Sequence, residues 1–279
     1  MLTLQNLSYT YPKGRRPAVN GLNLKLEAGG IYGLLGANGT GKSTLLYLIC
    51  GLLRPQAGTV TVMGQDPWRR LPSTLSEIFL IPEEIYMPAV TLAQFVEQNA
   101  PLYPRFSAEE MASYLAHFRL TADIHLGRLS MGQRKKALIA FALACNTRLL
   151  LMDEPTNGLD IPGKAEFRRA IVSAMSPDRA IVISTHQVRD LDRVLDHVVI
   201  LSDEGIMLSA PISRLQQKLC FEFVAGSAAQ CEGALWCEAV PGGYSAIRLR
   251  QEGEEETDVN LESLFEFTFR HPGMLNEII

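Results

Sequence analysis

The octapeptide Gly36-Ala37-Asn38-Gly39-Thr40-Gly41-Lys42-Ser43 constrains the fold more than any other segment of this chain. Before it, the apolar run 30–35 is bounded by glycines and predicts a short buried strand. After it, apolar residues recur at helical spacing from Lys42 to Leu53, which predicts a helix. A glycine-rich turn between a strand and a helix directs several backbone N–H groups toward one point, where they bind phosphate. The segment fits the pattern G-x-x-x-x-G-K-[ST], so it predicts an α/β core that holds a nucleoside triphosphate.

The side chains of this loop have separate predicted roles. Lys42 can reach the β- and γ-phosphates, and the Ser43 hydroxyl can ligate Mg²⁺. The residues predicted to contact the nucleotide here are Gly36, Asn38, Gly39, Thr40, Gly41, Lys42, Ser43 and Thr44. The loop alone does not separate kinases, GTPases, helicases and transport ATPases.

Two adjacent acids follow the apolar run 149–152. A strand that is apolar on both faces is typical of the centre of a parallel sheet. Ligands bind at the carboxyl ends of such strands, where Asp153 and Glu154 would lie. Asp153 is predicted to hold Mg²⁺, and Glu154 is predicted to orient and deprotonate an attacking water, a role worth about 10²–10⁴ in rate.

Further motifs follow the phosphate loop in a fixed order. They are Leu129-Ser130-Met131-Gly132-Gln133, Asp153-Glu154-Pro155-Thr156, Gly158-Leu159-Asp160 and Ser184-Thr185-His186. From about Leu2 to about Leu215, the chain resembles the ATP-binding subunit of an ATP-binding cassette (ABC) transporter. The resemblance implies a P-loop NTPase fold, a parallel sheet with flanking helices, joined by an antiparallel β subdomain.

The domain division is predicted from the same comparison and from the pattern of apolar residues. Residues 1–215 form the ATP-binding domain, and a helical subdomain at about 84–145 is inserted into it. Residues 216–279 form a small α+β appendage with two strands and a helix at Leu261–Arg270, for which Asn260 is a candidate cap.

The resemblance also implies roles for single residues. Tyr11 would stack on adenine, with Tyr9 as the less favoured choice, and His186 would contact the γ-phosphate. Ser130 and Gly132, with Gln133, would contact the γ-phosphate that a second subunit holds. Asp160 lies in the loop that crosses between subunits near the active sites.

The helix after Ser130 gives a physical reason for a second subunit. Ser130 is a good N-cap for a helix over 133–144, with Lys135 and Lys136 predicted on its exposed side. The start of this helix attracts anions, yet the phosphate loop of the same chain already surrounds its own nucleotide. A second copy can supply the phosphate, so two ATP molecules are predicted between head-to-tail monomers.

The chain departs from the family pattern at two positions. Glu83 stands where relatives carry a glutamine that touches Mg²⁺, and a carboxylate is the harder Mg²⁺ ligand. We therefore expect retained activity with a steeper Mg²⁺ dependence. Met131 replaces the first glycine of a Gly-Gly pair, and this change is expected to be tolerated because Gly132 is kept.

Composition narrows the function classes. The chain has 279 residues, 47% of them hydrophobic, and a formal charge of −4, which argues against a nucleic-acid surface. No apolar run approaches the 18–20 residues of a membrane span, and no signal peptide is evident. The expected location is the cytoplasm, peripheral on the inner face of the membrane, with the pore in a separately encoded polytopic subunit. Five cysteines without a C-x-x-C pair suit reduced thiols.

The favoured interpretation is an ATPase that powers an exporter. One alternative is a cassette ATPase acting on ribosomes or DNA, although such relatives usually carry two cassettes or a long coiled coil, and this chain has one cassette without sustained heptads. Another is a regulatory module without turnover, against which Glu154 and His186 argue. The cargo and the direction of transport are properties of the pore.

Overall fold

The computed structural model describes residues 1–191, 193–226 and 231–279. The strands are β1 (Leu2–Tyr9), β2 (Val19–Leu26), β3 (Gly30–Leu35), β4 (Ala57–Val62), β5 (Ile78–Ile81), β6 (Leu149–Asp153), β7 (Ala180–Thr185), β8 (His197–Ser202), β9 (Gly205–Pro211), β10 (Leu219–Ala225), β11 (Trp236–Val240) and β12 (Gly243–Leu249). The helices are α1 (Lys42–Ile49), α2 (Pro72–Leu75), α3 (Leu92–Asn99), α4 (Ala108–His117), α5 (Met131–Ala144), α6 (Ile161–Ser173), α7 (Ile212–Lys218), α8 (Leu261–Arg270) and α9 (Met274–Ile278).

A six-stranded sheet in the order β5-β6-β7-β3-β8-β9 forms the centre of the molecule. Its first five strands are parallel, and β9 returns antiparallel to β8. Leu35 pairs with Thr185 and Asp153 pairs with Ser184, so β3, β6 and β7 end at one edge. This edge is where open α/β sheets bind ligands.

The central sheet separates two apolar cores, because successive side chains of a strand point to opposite faces. In β6, Leu149 and Leu151 face the core that contains α1 and the antiparallel sheet β2-β1-β4. Leu150 and Met152 face the core that contains α4, α5 and α6. The strand is buried on both faces, as predicted for a central strand.

Two predicted helix boundaries differ from those in the structure. Helix α1 ends at Ile49 rather than Leu53, since Gly51 has a φ of +71° and turns the chain out of the helix. The segment from Glu84 to Val90 is not helical, and the first helix after β5, α3, starts at Leu92. Ser107 caps α4 by accepting from the backbone N–H of Glu110, and the Glu110 side chain contacts Asn146.

The C-terminal part contains helix α8 with Asn260 as its N-cap, as predicted, and a second antiparallel sheet of three strands, β10-β12-β11, where two strands were predicted. Phe221, Ile247 and Phe267 from this part belong to the same apolar core as residues of α5 and α6. Helix α7 runs through position 215, and the division there stays a prediction.

The expectation of reduced thiols throughout is wrong for one pair. Cys231, which precedes β11, and Cys237, in β11, form a disulfide, whereas Cys50, Cys145 and Cys220 are free and buried. Among the described residues, no helix combines the length and the apolar character that crossing a bilayer requires.

Candidate functional site

A pocket of about 480 Å³ opens at the edge where β3, β6 and β7 end. It brings together side chains that are up to 175 positions apart in the sequence, from Tyr11 to His186. The lining residues are Tyr11, Ala18, Asn38, Gly39, Gly41, Lys42, Ser43, Thr44, Glu83, Glu154 and His186. Ten of these eleven are residues that the sequence predicted for the nucleotide site, and Ala18 is the addition.

The phosphate loop curls around the ammonium group of Lys42. Its Nζ donates to the carbonyl oxygens of Gly36 at 2.8 Å and Ala37 at 3.0 Å. Gly41 has a φ of +90°, and a Cβ there would collide with the carbonyl oxygen of Ala18. The loop therefore needs glycine at this position to fit against β2.

Helix α1 begins directly after this glycine without a side-chain cap. Its first N–H groups consequently remain available to a ligand, and the helix dipole adds positive potential there. Burial lowers the pKa of Lys42, while the carboxylates of Glu154, Asp153 and Glu83 oppose that shift. The pocket thus combines a cation, free amides and nearby acids, which suits a phosphate chain bound with a metal ion.

The carboxylate of Glu154 is held by the end of β7. Its Oε1 accepts from the His186 backbone at 3.0 Å and lies 2.7 Å from His186 Nδ1, and its Oε2 accepts from Thr185 Oγ1 at 3.1 Å. Lys42 Nζ is 3.9 Å from Oε1. The carboxylate, the imidazole and the lysine are therefore close enough to act on one phosphate group.

The oxygen donors in the site fit Mg²⁺. In the pocket, Ser43 offers a hydroxyl and Glu83 a carboxylate. Asp153, buried at the end of β6, does not line the pocket, and its carboxylate accepts from the Ser184 hydroxyl. Within the described ranges, no group of three or more His, Cys, Asp or Glu side chains forms a metal cage. Mg²⁺ commonly binds one or two carboxylates together with substrate phosphates, so a full protein cage is not required.

Tyr11 and Thr44 lie at the other end of the pocket. The Tyr11 hydroxyl is 3.2 Å from Thr44 Oγ1, and the ring packs edge-on against Tyr9 at 5.0 Å. Because 42% of Tyr11 is exposed, a face of its ring is available to a planar ligand. Tyr9, the other tyrosine of this segment, does not line the pocket.

Ser130, Gly132, Gln133 and Asp160 do not line this pocket. Ser130 and Gln133 form a reciprocal capping box at the start of α5, with bonds of 3.3 and 3.1 Å. Asp160 caps α6 by accepting from Gly163 N at 2.9 Å. These residues therefore form a second surface, centred on the start of α5, outside the pocket of their own chain.

Comparison with known proteins identifies the family. A family model described as ABC transporter matches residues 19–157. A fluoroquinolones export ATP-binding protein of Mycobacterium tuberculosis is 31% identical over 233 residues, which cover 80% of this chain and 76% of that protein. The methionine import ATP-binding protein MetN of Caulobacter vibrioides is 33% identical over 274 residues, or 91% and 80% of the two chains.

This chain belongs to the ABC transporter ATP-binding family. Among solved structures, a dimeric post-hydrolysis state of the ATP-binding cassette MJ0796 bound to ADP and Pi has 25% identity and a TM-score of 0.67, covering 76% of this chain and 98% of that one. The predicted family and the α/β fold class are confirmed. As an ABC ATP-binding subunit, the chain binds and hydrolyses ATP.

Two residues that sequence reasoning missed connect the two surfaces of this ABC subunit. Lys135 was predicted on the exposed side of α5, but only 2% of it is exposed. Its Nζ donates to the carbonyl oxygens of Glu154 at 2.6 Å and Asn157 at 2.9 Å. The Asn157 side chain in turn donates to Glu83 Oε1 at 3.2 Å.

The sequence gives only a partial signal for the burial of Lys135. Positions 138, 139 and 142 share a helical face with 135 and are apolar, but positions 139, 140 and 143, which share a face with 136, are apolar too. Lys136, by contrast, bonds to Glu166 at 2.7 Å on a different side of α5. The two adjacent lysines therefore have different surroundings.

Proposed function

We propose that this chain dimerises head to tail on ATP and powers transport by a separate membrane subunit at the cytoplasmic face of a membrane. The observation that carries the proposal is the convergence of Lys42, Glu154 and His186 in a pocket lined by the phosphate loop. The start of α5, outside that pocket, is then the surface that completes the pocket of the second copy.

In the proposed reaction, water attacks the γ-phosphate of ATP in line with the departing ADP. Glu154 orients this water and accepts its proton, a role its carboxylate can take once ATP and water enter beside it. Lys42 and the loop amides bind the phosphate oxygens and stabilise their developing charge. His186, whose ring lies 2.7 Å from the Glu154 carboxylate, is proposed to contact the γ-phosphate.

The proposed Mg²⁺ ligands are Ser43, Asp153 and Glu83. When bound, the ion would neutralise charge on the β- and γ-phosphates. Tyr11 is proposed to stack on the adenine, supported by its exposed ring at the mouth of the pocket.

The dimer proposal has support in the geometry of α5 and in the relative MJ0796, whose structure is dimeric. Ser130 and Gln133 satisfy two backbone N–H groups, and the remaining ones at the helix start are free to bind an anion. Gly132 has no side chain, so a phosphate can approach the backbone closely. Asp160 lies beside this surface, at the start of α6.

The membrane partner is proposed to dock near the segment between β5 and α3. This segment contains Glu83, and Tyr86 in the same segment is 89% exposed. Glu83 therefore connects this surface to the ATP pocket. Export stays a prediction, since the relatives named above include an export and an import protein.

The substitution Glu154→Gln tests the hydrolysis and dimer proposals together. We expect hydrolysis to fall about 10²–10⁴-fold, while Mg-ATP traps a dimer that gel filtration detects. The matched control is Glu166→Gln, which changes another buried glutamate that lies outside the pocket. A Glu154→Gln protein that remains monomeric with Mg-ATP, or hydrolyses ATP at the unaltered rate, would contradict the proposal.

Affinity purification from detergent-solubilised membranes tests the transport role. A partner with several membrane-spanning helices is the expected result. Co-purification of ribosomes or DNA instead would favour the alternative of a non-transport cassette ATPase, for which the named relatives, all transporter subunits, give no support.

A further inference from the structure

The ammonium group of Lys135 lies in an environment that lysine rarely occupies. It is buried, and its two described hydrogen bonds are to backbone carbonyl oxygens, those of Glu154 and Asn157. Lysine is almost never fully buried unless its charge is compensated, because desolvation of the charge is costly. An apolar residue would pack on this face of α5 without that cost, so the two carbonyl contacts are the distinctive property of the lysine.

These contacts act on the backbone of Glu154. The residue has a φ of +45°, in the left-handed region that non-glycine residues seldom adopt and that costs about 1–3 kcal/mol. Its N–H donates to Ser184 O at 3.0 Å, and its carbonyl accepts from Asn157 N at 3.2 Å as well as from Lys135. The Lys135 side chain thus links this strained peptide to α5 by a hydrogen bond.

Helix α5 carries Lys135 and the proposed partner-facing surface on one rigid element. Ser130 caps the helix five residues before Lys135, a separation of about 7.5 Å along the axis. A shift of the helix start would therefore move the Lys135 ammonium, and with it the Glu154 and Asn157 carbonyls. The Asn157 side chain extends this link to Glu83.

We propose that Lys135 is a positioning residue that makes the placement of Glu154 depend on the position of the start of α5. This inference rests on the proposed head-to-tail dimer. When the partner's ATP contacts Ser130 and Gly132, it fixes the position of the start of α5. Through the hydrogen bonds of Lys135, the position of the helix then determines the position of Glu154 in the same chain. Hydrolysis in one site is thereby linked to ATP bound in the other.

The first experiment compares Lys135→Met with Lys136→Met. Both remove a lysine from α5, but Lys136 bonds to Glu166, which also pairs with Arg119 at 3.7 Å. For Lys135→Met we expect kcat to fall about 10- to 100-fold, as for a small displacement of a catalytic group. ATP binding by the monomer should change less than twofold, and Lys136→Met should leave both quantities near their unaltered values.

Measuring dimer formation distinguishes a role of Lys135 in positioning Glu154 from a general role in the stability of the structure. A chain that binds ATP but hydrolyses it slowly should accumulate the Mg-ATP dimer on gel filtration, so Lys135→Met should raise the dimer fraction. Loss of the dimer together with normal ATP binding would instead assign Lys135 a structural role and overturn the proposal. A kcat within twofold of the unaltered chain would also overturn it.

The second experiment uses double variants. If Lys135 acts through Glu154, Lys135→Met should not slow the Glu154→Gln protein further, because the group it positions is already gone. An equal slowing in both backgrounds would overturn the proposal. Lys135→Arg keeps charged donors and should recover most of the lost kcat; an Arg variant that binds ATP normally and is as slow as Lys135→Met would also contradict it.

These results distinguish the inference from the proposed function. If Glu154→Gln abolishes hydrolysis and Lys135→Met does not reduce it, the inference alone fails. If Glu154→Gln hydrolyses ATP at the unaltered rate, the proposed role of Glu154 fails first.

Discussion

The helices α1 and α5 both begin at a motif, but their N-termini are built differently. α1 follows Gly41 in the left-handed conformation and has no side-chain cap, and Lys42 stands at its first position. α5 follows Ser130 and has a full capping box with Gln133. The backbone N–H groups at the start of α1 are therefore available to a ligand, whereas some of those at the start of α5 already have hydrogen-bond partners within the chain.

Under the proposed function, this difference between the two helix starts indicates the order of ATP binding and dimerisation. The N-terminus of α1 combines free amides with a buried ammonium group, so it can bind a triphosphate within one chain. The start of α5 offers its remaining amides and the helix dipole, worth about half a charge. It is therefore suited to a phosphate that another chain already holds, and ATP binding would precede dimerisation.

Of the effects expected at the two helix starts, the larger comes from α1. Lys42→Ala removes the cation from the phosphate loop, so we expect hydrolysis to fall about 10²–10³-fold and the ATP-dependent dimer to disappear. Phosphate release and gel filtration measure the two effects. Lys136→Ala serves as the control, since that lysine pairs with Glu166 outside the pocket. Normal dimerisation of Lys42→Ala would contradict the proposed order.

The α1 terminus was also the more predictable of the two regions. Lys42, Glu154 and His186 lie in motifs whose spacing on strand ends determines where they meet, and they do line one pocket. The parallel order of β3, β6 and β7 follows from alternating apolar strands and helices. Ala18 was missed because its role is a backbone contact with Gly41, which has no side-chain signal.

The environment of α5 was less predictable. Its cap at Ser130 is a local property and was predicted, but the burial of Lys135 depends on carbonyls about 20 residues away in sequence. The Asn157–Glu83 contact joins segments 74 residues apart, and neither side chain has a local preference for the other. Such contacts arise from the packing of whole elements, which motif spacing does not specify.

A smaller effect is expected at the start of α5. Ser130→Ala should cost about 1 kcal/mol of stability through the lost cap. It should also lower dimerisation and hydrolysis about tenfold, since a hydrogen bond to a charged group is worth about 1.5–3 kcal/mol. ATP binding at protein concentrations too low for dimers should be unchanged, and equilibrium dialysis can measure it.

Ser107→Ala is the matched control for Ser130→Ala. Ser107 caps α4 with the same type of bond, to Glu110 N at 3.2 Å, but does not lie in the ATP pocket. Both variants should lose similar stability in thermal melts, and only Ser130→Ala should lose dimer. Equal losses of dimer in the two variants would assign the whole effect to stability and remove α5 from the composite site.

The smallest effect concerns the charges around α1. The charge of Lys42 interacts with the carboxylates of Glu154, Asp153 and Glu83, so phosphates bound at Lys42 would also feel these three acids unless a metal ion intervenes. Glu83→Gln removes one of these charges, and a pair of charges about 4 Å apart in water is worth about 1 kcal/mol. The rate ratio between saturating and limiting Mg²⁺ should therefore shrink by up to about fivefold, with activity retained.

Glu84→Gln, which changes the adjacent carboxylate bonded to Tyr86, should keep the original Mg²⁺ titration. If the ATPase activities of Glu83→Gln and Glu84→Gln depend identically on Mg²⁺ concentration, the Glu83 carboxylate does not contribute to the metal requirement of the site beside α1.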